Sequence, residues 1–109
     1  AAQAGKRELI LPLLEVMDDF ERALERANDD PQLVVAGLRV IHRRLAALLA
    51  AQGVEAFDSR GKCFNPLLHE AVDTVESERA EPGTVLDEVS RGWRLGDELL
   101  RPARVSVAQ

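Results

Sequence analysis

The stretch FNPLLHEAV, Phe64 to Val72, sets a histidine and a glutamate, His69 and Glu70, close behind the only cysteine, Cys63. Two chemistries use such residues. A zinc site takes these donors but wants three or four of them at characteristic spacings, and neither CxxC nor HExxH occurs here. A Cys–His nucleophile needs a thiol of lowered pKa, and nothing in the sequence marks Cys63 as one rather than as a small buried hydrophobe. His69 therefore reads as a side chain whose ring nitrogens fix a turn or cap a strand. No metal and no catalytic residue are expected.

General acid–base work would need two carboxylates converging on one site. Asp18, Asp19, Glu21, Glu25, Arg22 and Arg26 fall instead on one helical stretch and read as its solvated outer side. Glu15 with Asp19, or Glu21 with Glu25, is then a charged face. GTVLDEV and RGWRLGD match neither GxGxxG nor the P-loop pattern, so no phosphate cradle and no cofactor are expected. Arg39, Arg43 and Arg44, beside His42, form a basic patch on a second helical stretch. Without aromatic neighbours or a wider basic field, it reads as a solvated face pairing with the acidic first helix, not as a nucleic-acid site.

The elements that carry these residues follow from the spacing. Ile10, Leu13, Met17, Phe20, Leu24 and Ala27 form a heptad seam, and Leu9, Leu14 and Val16 widen it for a second neighbour. Pro12 cannot donate to the carbonyl four residues back, which predicts a kink or a helix boundary between Glu8 and Pro12. In NDDP, Asp30 can cap a second helix and Pro31 can open it. Val34, Leu38, Ile41, Leu45 and Leu48 repeat the seam until Gly53, which suits a left-handed stop. A lone helical hairpin leaves half its apolar surface wet. Pairing two hairpins in a four-helix bundle would cover Leu13, Met17, Phe20, Leu38, Ile41 and Leu45.

Beyond Gly53 the period changes. Turn signals separate short valine-rich runs, Ala71 to Val75, Val85 to Val89, Trp93 to Leu95 and Arg104 to Val107, which read as strands. The boundary from Gly53 to Phe57 is short for a flexible linker. Trp93 reads as core, with an edge or interface role as the alternative. The fold class is α+β: a helical hairpin over residues 1–53 that forms a dimeric four-helix bundle, then a small all-β domain over residues 54–109.

Composition narrows the function further. The net charge of −5 is spread over both halves, so neither half is a nucleic-acid arm. One cysteine cannot close an internal disulfide, which fits a reducing compartment, the cytoplasm. No apolar run approaches the roughly 20 residues that span a bilayer, and the opening residues lack the pattern of a signal peptide. An opening in mid-pattern without an initiator methionine suggests a fragment that lacks its N-terminal part.

The ordered pieces also resemble a known family. FNPLLHEAV followed by GWRLGDELLRPARVSV resembles the signature of the GrpE family, nucleotide exchange factors of DnaK-type heat-shock chaperones. The resemblance extends to LPLLEVMDDFERAL, GVEAFDSRGKCFNP and VESERAEPGTV, and so covers essentially the whole chain. It implies a homodimer with long paired helices, of which this chain holds only the last turns, up to about Asn28. It also implies a β domain that docks on the chaperone's nucleotide-binding domain and opens its cleft, so that ADP leaves. No bond is made or broken in that exchange. The implied chaperone contacts are Phe64, Pro66, Val89 and Val107, with more along the nearest helix. Gly53 corresponds to a glycine that couples the bundle to the β domain, and Asn65, His69, Gly92, Arg101 and Pro102 match signature positions read as structural.

Two departures from the pattern stand out. Trp93 replaces the usual tyrosine or phenylalanine, and Glu98 stands where many members have arginine. The second reverses a charge, so either another cation such as Arg94 substitutes or the partner compensates. The rival reading is a structural coiled-coil adaptor, which would carry the same bundle but a β domain without an apolar surface patch.

Overall fold

The computed structural model describes the backbone of residues 2–109 and the side chains of residues 5–109. Its contacts divide it into two units, the second of which is Gln52–Gln109.

In the first unit, α1 (Ala2–Glu25) and α2 (Pro31–Ala51) form a hairpin. Asp30 makes the expected cap, its Oδ1 accepting the Gln32 N–H at 2.9 Å, while Pro31 takes the first helical position, where a missing N–H leaves no bond unmade. At the other end Gly53 adopts a φ of 80°, the left-handed step that closes α2. Of the kink or helix boundary expected near Pro12, the boundary is absent, since α1 runs through the proline. The ring removes one hydrogen bond, and the turns on either side keep theirs.

The hairpin buries a different stripe of α1 from the one its heptad spacing suggested. Val16, Asp19 and Ala23 face inward with Ile41 of α2, whereas Ile10, Leu13, Met17, Phe20 and Leu24 remain between 39% and 70% exposed. Both stripes step by three and four residues, so spacing alone could not say which would meet α2. Small residues decide it. A Cβ built on Gly37 would lie 3.0 Å from the Ala23 Cβ, and this pair lets the two backbones approach closely.

Asp19 therefore does not belong to the solvated outer side. Its carboxylate is buried and pairs with Arg44 Nε and Arg22 Nη1, each at 3.2 Å, while Arg44 also reaches Glu15 at 3.7 Å. The contact of Arg44 with Asp19 Oδ2 is an ion pair without hydrogen-bond alignment. Arg44 thus joins the basic patch to the acidic helix, as the charge pattern suggested.

The second unit holds six strands, β1 (Val54–Phe57), β2 (His69–Val75), β3 (Val85–Ser90), β4 (Gly92–Leu95), β5 (Glu98–Arg101) and β6 (Ala103–Ala108). They make two three-stranded sheets, in the orders β1-β4-β5 and β2-β6-β3. β2 runs parallel to β6, and the other pairings are antiparallel. As a central strand β6 is the most buried, with Ala103, Val105 and Val107 facing the core beside Val85 and with Phe57 and Phe64 packed around them. The edge strands β2 and β5 carry Glu70, Asp73, Glu98 and Arg101, charges that discourage further strand pairing.

Three of the apolar side chains left in solvent on this unit sit at irregular pairing. The ladders slip between Ala71 and Asp73, Glu88 and Ser90, and at Trp93–Arg94 opposite Arg101 and Leu99, leaving Val72, Val89 and Leu100 as the extra residues. All three are exposed. A bulge breaks the in–out alternation, so these positions escape the two-residue period that would otherwise bury them.

Candidate functional site

The conspicuous motif forms a tightly bonded turn. Asn65 organises it: its Oδ1 accepts the Leu67 N–H at 2.9 Å, and its carbonyl accepts the N–H groups of Leu68 at 2.9 Å and His69 at 2.8 Å. In return the Asn65 N–H donates to Nδ1 of His69 at 2.9 Å. Pro66, without an N–H, fits between them at no loss. The turn is anchored at both ends, by Phe64 N–H to the Gly83 carbonyl at 2.8 Å and by Ala103 N–H to the Leu68 carbonyl at 3.0 Å.

Phe64 is half-buried against the β6 core, and the His69 ring lies 5.8 Å from that of Phe64 and 6.5 Å from that of Phe57. Pro66 and Leu67 project into solvent. The result is a rigid apolar knob rather than a cleft.

A second loop, Asp58 to Lys62, is held on β3. Gly61 and Lys62 exchange hydrogen bonds of 2.8 Å with Val85, Ser59 N–H donates to Glu88 Oε1 at 3.2 Å, and ion pairs join Arg60 to Asp87 and Arg91 to Asp58. Ser59 is wholly enclosed, its hydroxyl out of reach of any substrate. Cys63 is exposed, not the buried hydrophobe that the sequence left open, and bridges Thr84 through its backbone. No three His, Cys, Asp or Glu side chains converge as metal ligands among the described residues.

With this geometry in place, similarity to known proteins decides the lineage. The family model described as GrpE matches residues 1–109. The chain belongs to the GrpE family. It is 43% identical over 105 residues to Protein GrpE of Geobacillus kaustophilus, covering 94% of this chain and 49% of that protein. Against Protein GrpE of Carboxydothermus hydrogenoformans the identity is 41% over 102 residues, covering 94% and 53%. For the Bacillus subtilis protein of the same name it is 36% over 105 residues, covering 94% and 56%. The chain spans about half the length of these relatives.

Most GrpE signature positions acquire a local physical reason. Gly92, opposite Phe57 in the β1–β4 ladder, leaves room for the phenylalanine ring: a Cβ there would meet Phe57 Cζ, with Cε1 at 2.5 Å and the Ala103 backbone nitrogen at 2.8 Å. Arg101 Nε donates to the Arg91 carbonyl at 3.0 Å, fixing the turn into Gly92. Pro102 is half-buried between β5 and β6. Trp93 is half-buried too, between the core reading and the edge or interface alternative.

Of the four residues that the GrpE resemblance makes chaperone contacts, Pro66 is exposed and Val89 is 58% exposed on its bulge. Val107 is a correction. It is 7% exposed and belongs to the core, because it faces inward from the central strand opposite Val85. Phe64 shares that core while keeping part of its ring accessible. Arg94, the cation considered as a substitute at the Glu98 departure, is half-buried with its guanidinium 4.8 Å above the Phe57 ring.

His69 carries a testable consequence of its own. Burial, with a smaller push from Lys62, holds its pKa below the ordinary value of 6.5, and Glu88 opposes the shift. The geometry agrees, since Nδ1 accepts a hydrogen bond and a protonated ring could not. The unfolded chain thus takes up the proton first, so stability is complete above about pH 6.5 and falls as pH drops toward the lower folded value. Replacing His69 with Asn should cost about 1 kcal/mol at neutral pH and flatten this acid limb. Denaturant melts of the β unit at several pH values check both; an unaltered acid limb would assign the proton elsewhere.

Proposed function

We propose that this chain is the core of an adenine-nucleotide exchange factor, which binds the nucleotide-binding domain of a DnaK-type chaperone and favours its open, ADP-releasing form. One observation carries the reading: the family match runs through the whole chain. The well-bonded Asn65 turn with its exposed Pro66 and Leu67 is in keeping with a ligand that acts by docking. Its mechanism is differential affinity. A protein that binds the open cleft more tightly than the closed one shifts the chaperone toward opening, and ADP must weaken its binding by the same factor.

Residues 1–53 serve dimerisation in this reading, and residues 54–109 serve docking. The exposed stripe of Leu13, Met17, Phe20 and Leu38 supports a symmetric pairing of hairpins. Ile41 is already covered within one hairpin and Leu45 is half-covered, so these two contribute less to such an interface. Docking falls to Phe64, Pro66 and Val89. No helix among the described residues is long and apolar enough to cross a membrane, and a cytoplasmic site of action fits the chaperone partner. Release of labelled ADP from a chaperone of this type, with and without the chain, tests the proposal.

A further inference from the structure

Leu67 is 81% exposed, more than any other large hydrophobic side chain among the described residues. Solvation of a leucine does nothing for the fold, and this one is not left loose. Its own N–H and those of Leu68 and His69 are held by Asn65, Pro66 fixes the backbone that leads into it, and the Leu68 carbonyl accepts from the Ala103 N–H. An apolar side chain on a rigid support gives up little backbone freedom when a partner covers it.

We propose that Leu67 is the anchor of the docking turn, entering an apolar pocket on the chaperone's nucleotide-binding domain. This rests on the exchange-factor reading and adds a contact that the family resemblance did not supply. Two observations select that occupant over a second copy of the chain. Leu67 directly follows Phe64 and Pro66, so it continues the proposed docking face. One leucine and one proline also offer far less area than a stable dimer needs, whereas the long apolar stripe on α1 offers much more.

The test is binding of the chain to an isolated nucleotide-binding domain, measured by calorimetry for wild type, Leu67→Asp and Leu67→Met. Because Leu67 is solvated, neither substitution should alter Trp93 emission or the melting transition. Loss of a buried leucine contact should weaken binding by about tenfold or more in Leu67→Asp, and Leu67→Met should stay within about threefold of wild type. Equal binding by wild type and Leu67→Asp would overturn the anchor while leaving the exchange-factor reading intact. If wild type itself did not bind, both would fall. A change in sedimentation of Leu67→Asp with unchanged chaperone binding would make the occupant a second copy and overturn the proposal.

Discussion

Replacing Gly92 with alanine is expected to unfold the β unit while leaving the helical hairpin formed. The added methyl would overlap the Phe57 ring and press on the backbone nitrogen of Ala103, and only the ring can move. Moving it takes Phe57 from the cluster of Val85, Ala103, Val105 and Val107. Loss of a fully buried phenylalanine costs about 3–5 kcal/mol; half-buried Phe57 forfeits part of that, the pressure on the Ala103 backbone adds to it, and a small domain has little more than about 5 kcal/mol to lose. The reading is loss of Trp93 near-ultraviolet dichroism with most helical signal retained. Phe57→Leu in the same chain should restore part of the stability, because the two substitutions share one contact and cannot be additive. A cooperative melt of Gly92→Ala at the wild-type midpoint would show that the ring and glycine do not interlock.

The second large effect is expected on the helical unit. Phe20 and Met17 are exposed in the single hairpin, so Phe20→Glu with Met17→Glu should leave the isolated hairpin folded. In a symmetric dimer each substitution counts twice, and each buried apolar side chain is worth about 1.5–3 kcal/mol. Dissociation should therefore rise by well over a hundredfold, enough to move a micromolar sample from dimer to monomer in sedimentation equilibrium. A wild-type chain that sediments as a folded monomer would remove the bundle from the account.

The elements legible in sequence were those whose stop signals act locally. Asp30-Pro31 and Gly53 marked the ends of the helices because a cap or a left-handed residue needs no distant partner. The turn at Asn65 was legible for the same reason, down to the structural duty of His69. β1 and β5 were missed. Each has four residues, and Glu98 to Arg101 lacks alternation, so both depend on pairing with β4 rather than on their own preference. A signal existed for β5, since Gly96-Asp97 is a two-residue hairpin connection.

Burial was harder to read than the elements. α1 offers two apolar seams, and only the close approach of Gly37 to Ala23 selects the inner one, which also turns Asp19 inward. In the β unit, the bulge at Val89 turns a strand valine outward, while Val107 keeps the alternation of an unbroken central strand and stays inside. Leu67 is not legible in the sequence, because its meaning lies in exposure on a well-bonded turn, which spacing does not report.

The most direct test of the central claim is stopped-flow release of fluorescent ADP from a DnaK-type chaperone, followed across a series of concentrations of this chain. The account predicts a release rate that climbs with concentration to a plateau, with unlabelled ADP weakening the chain's own binding to the chaperone. A folded chain that binds the chaperone yet leaves the ADP release rate unchanged at every concentration would contradict it.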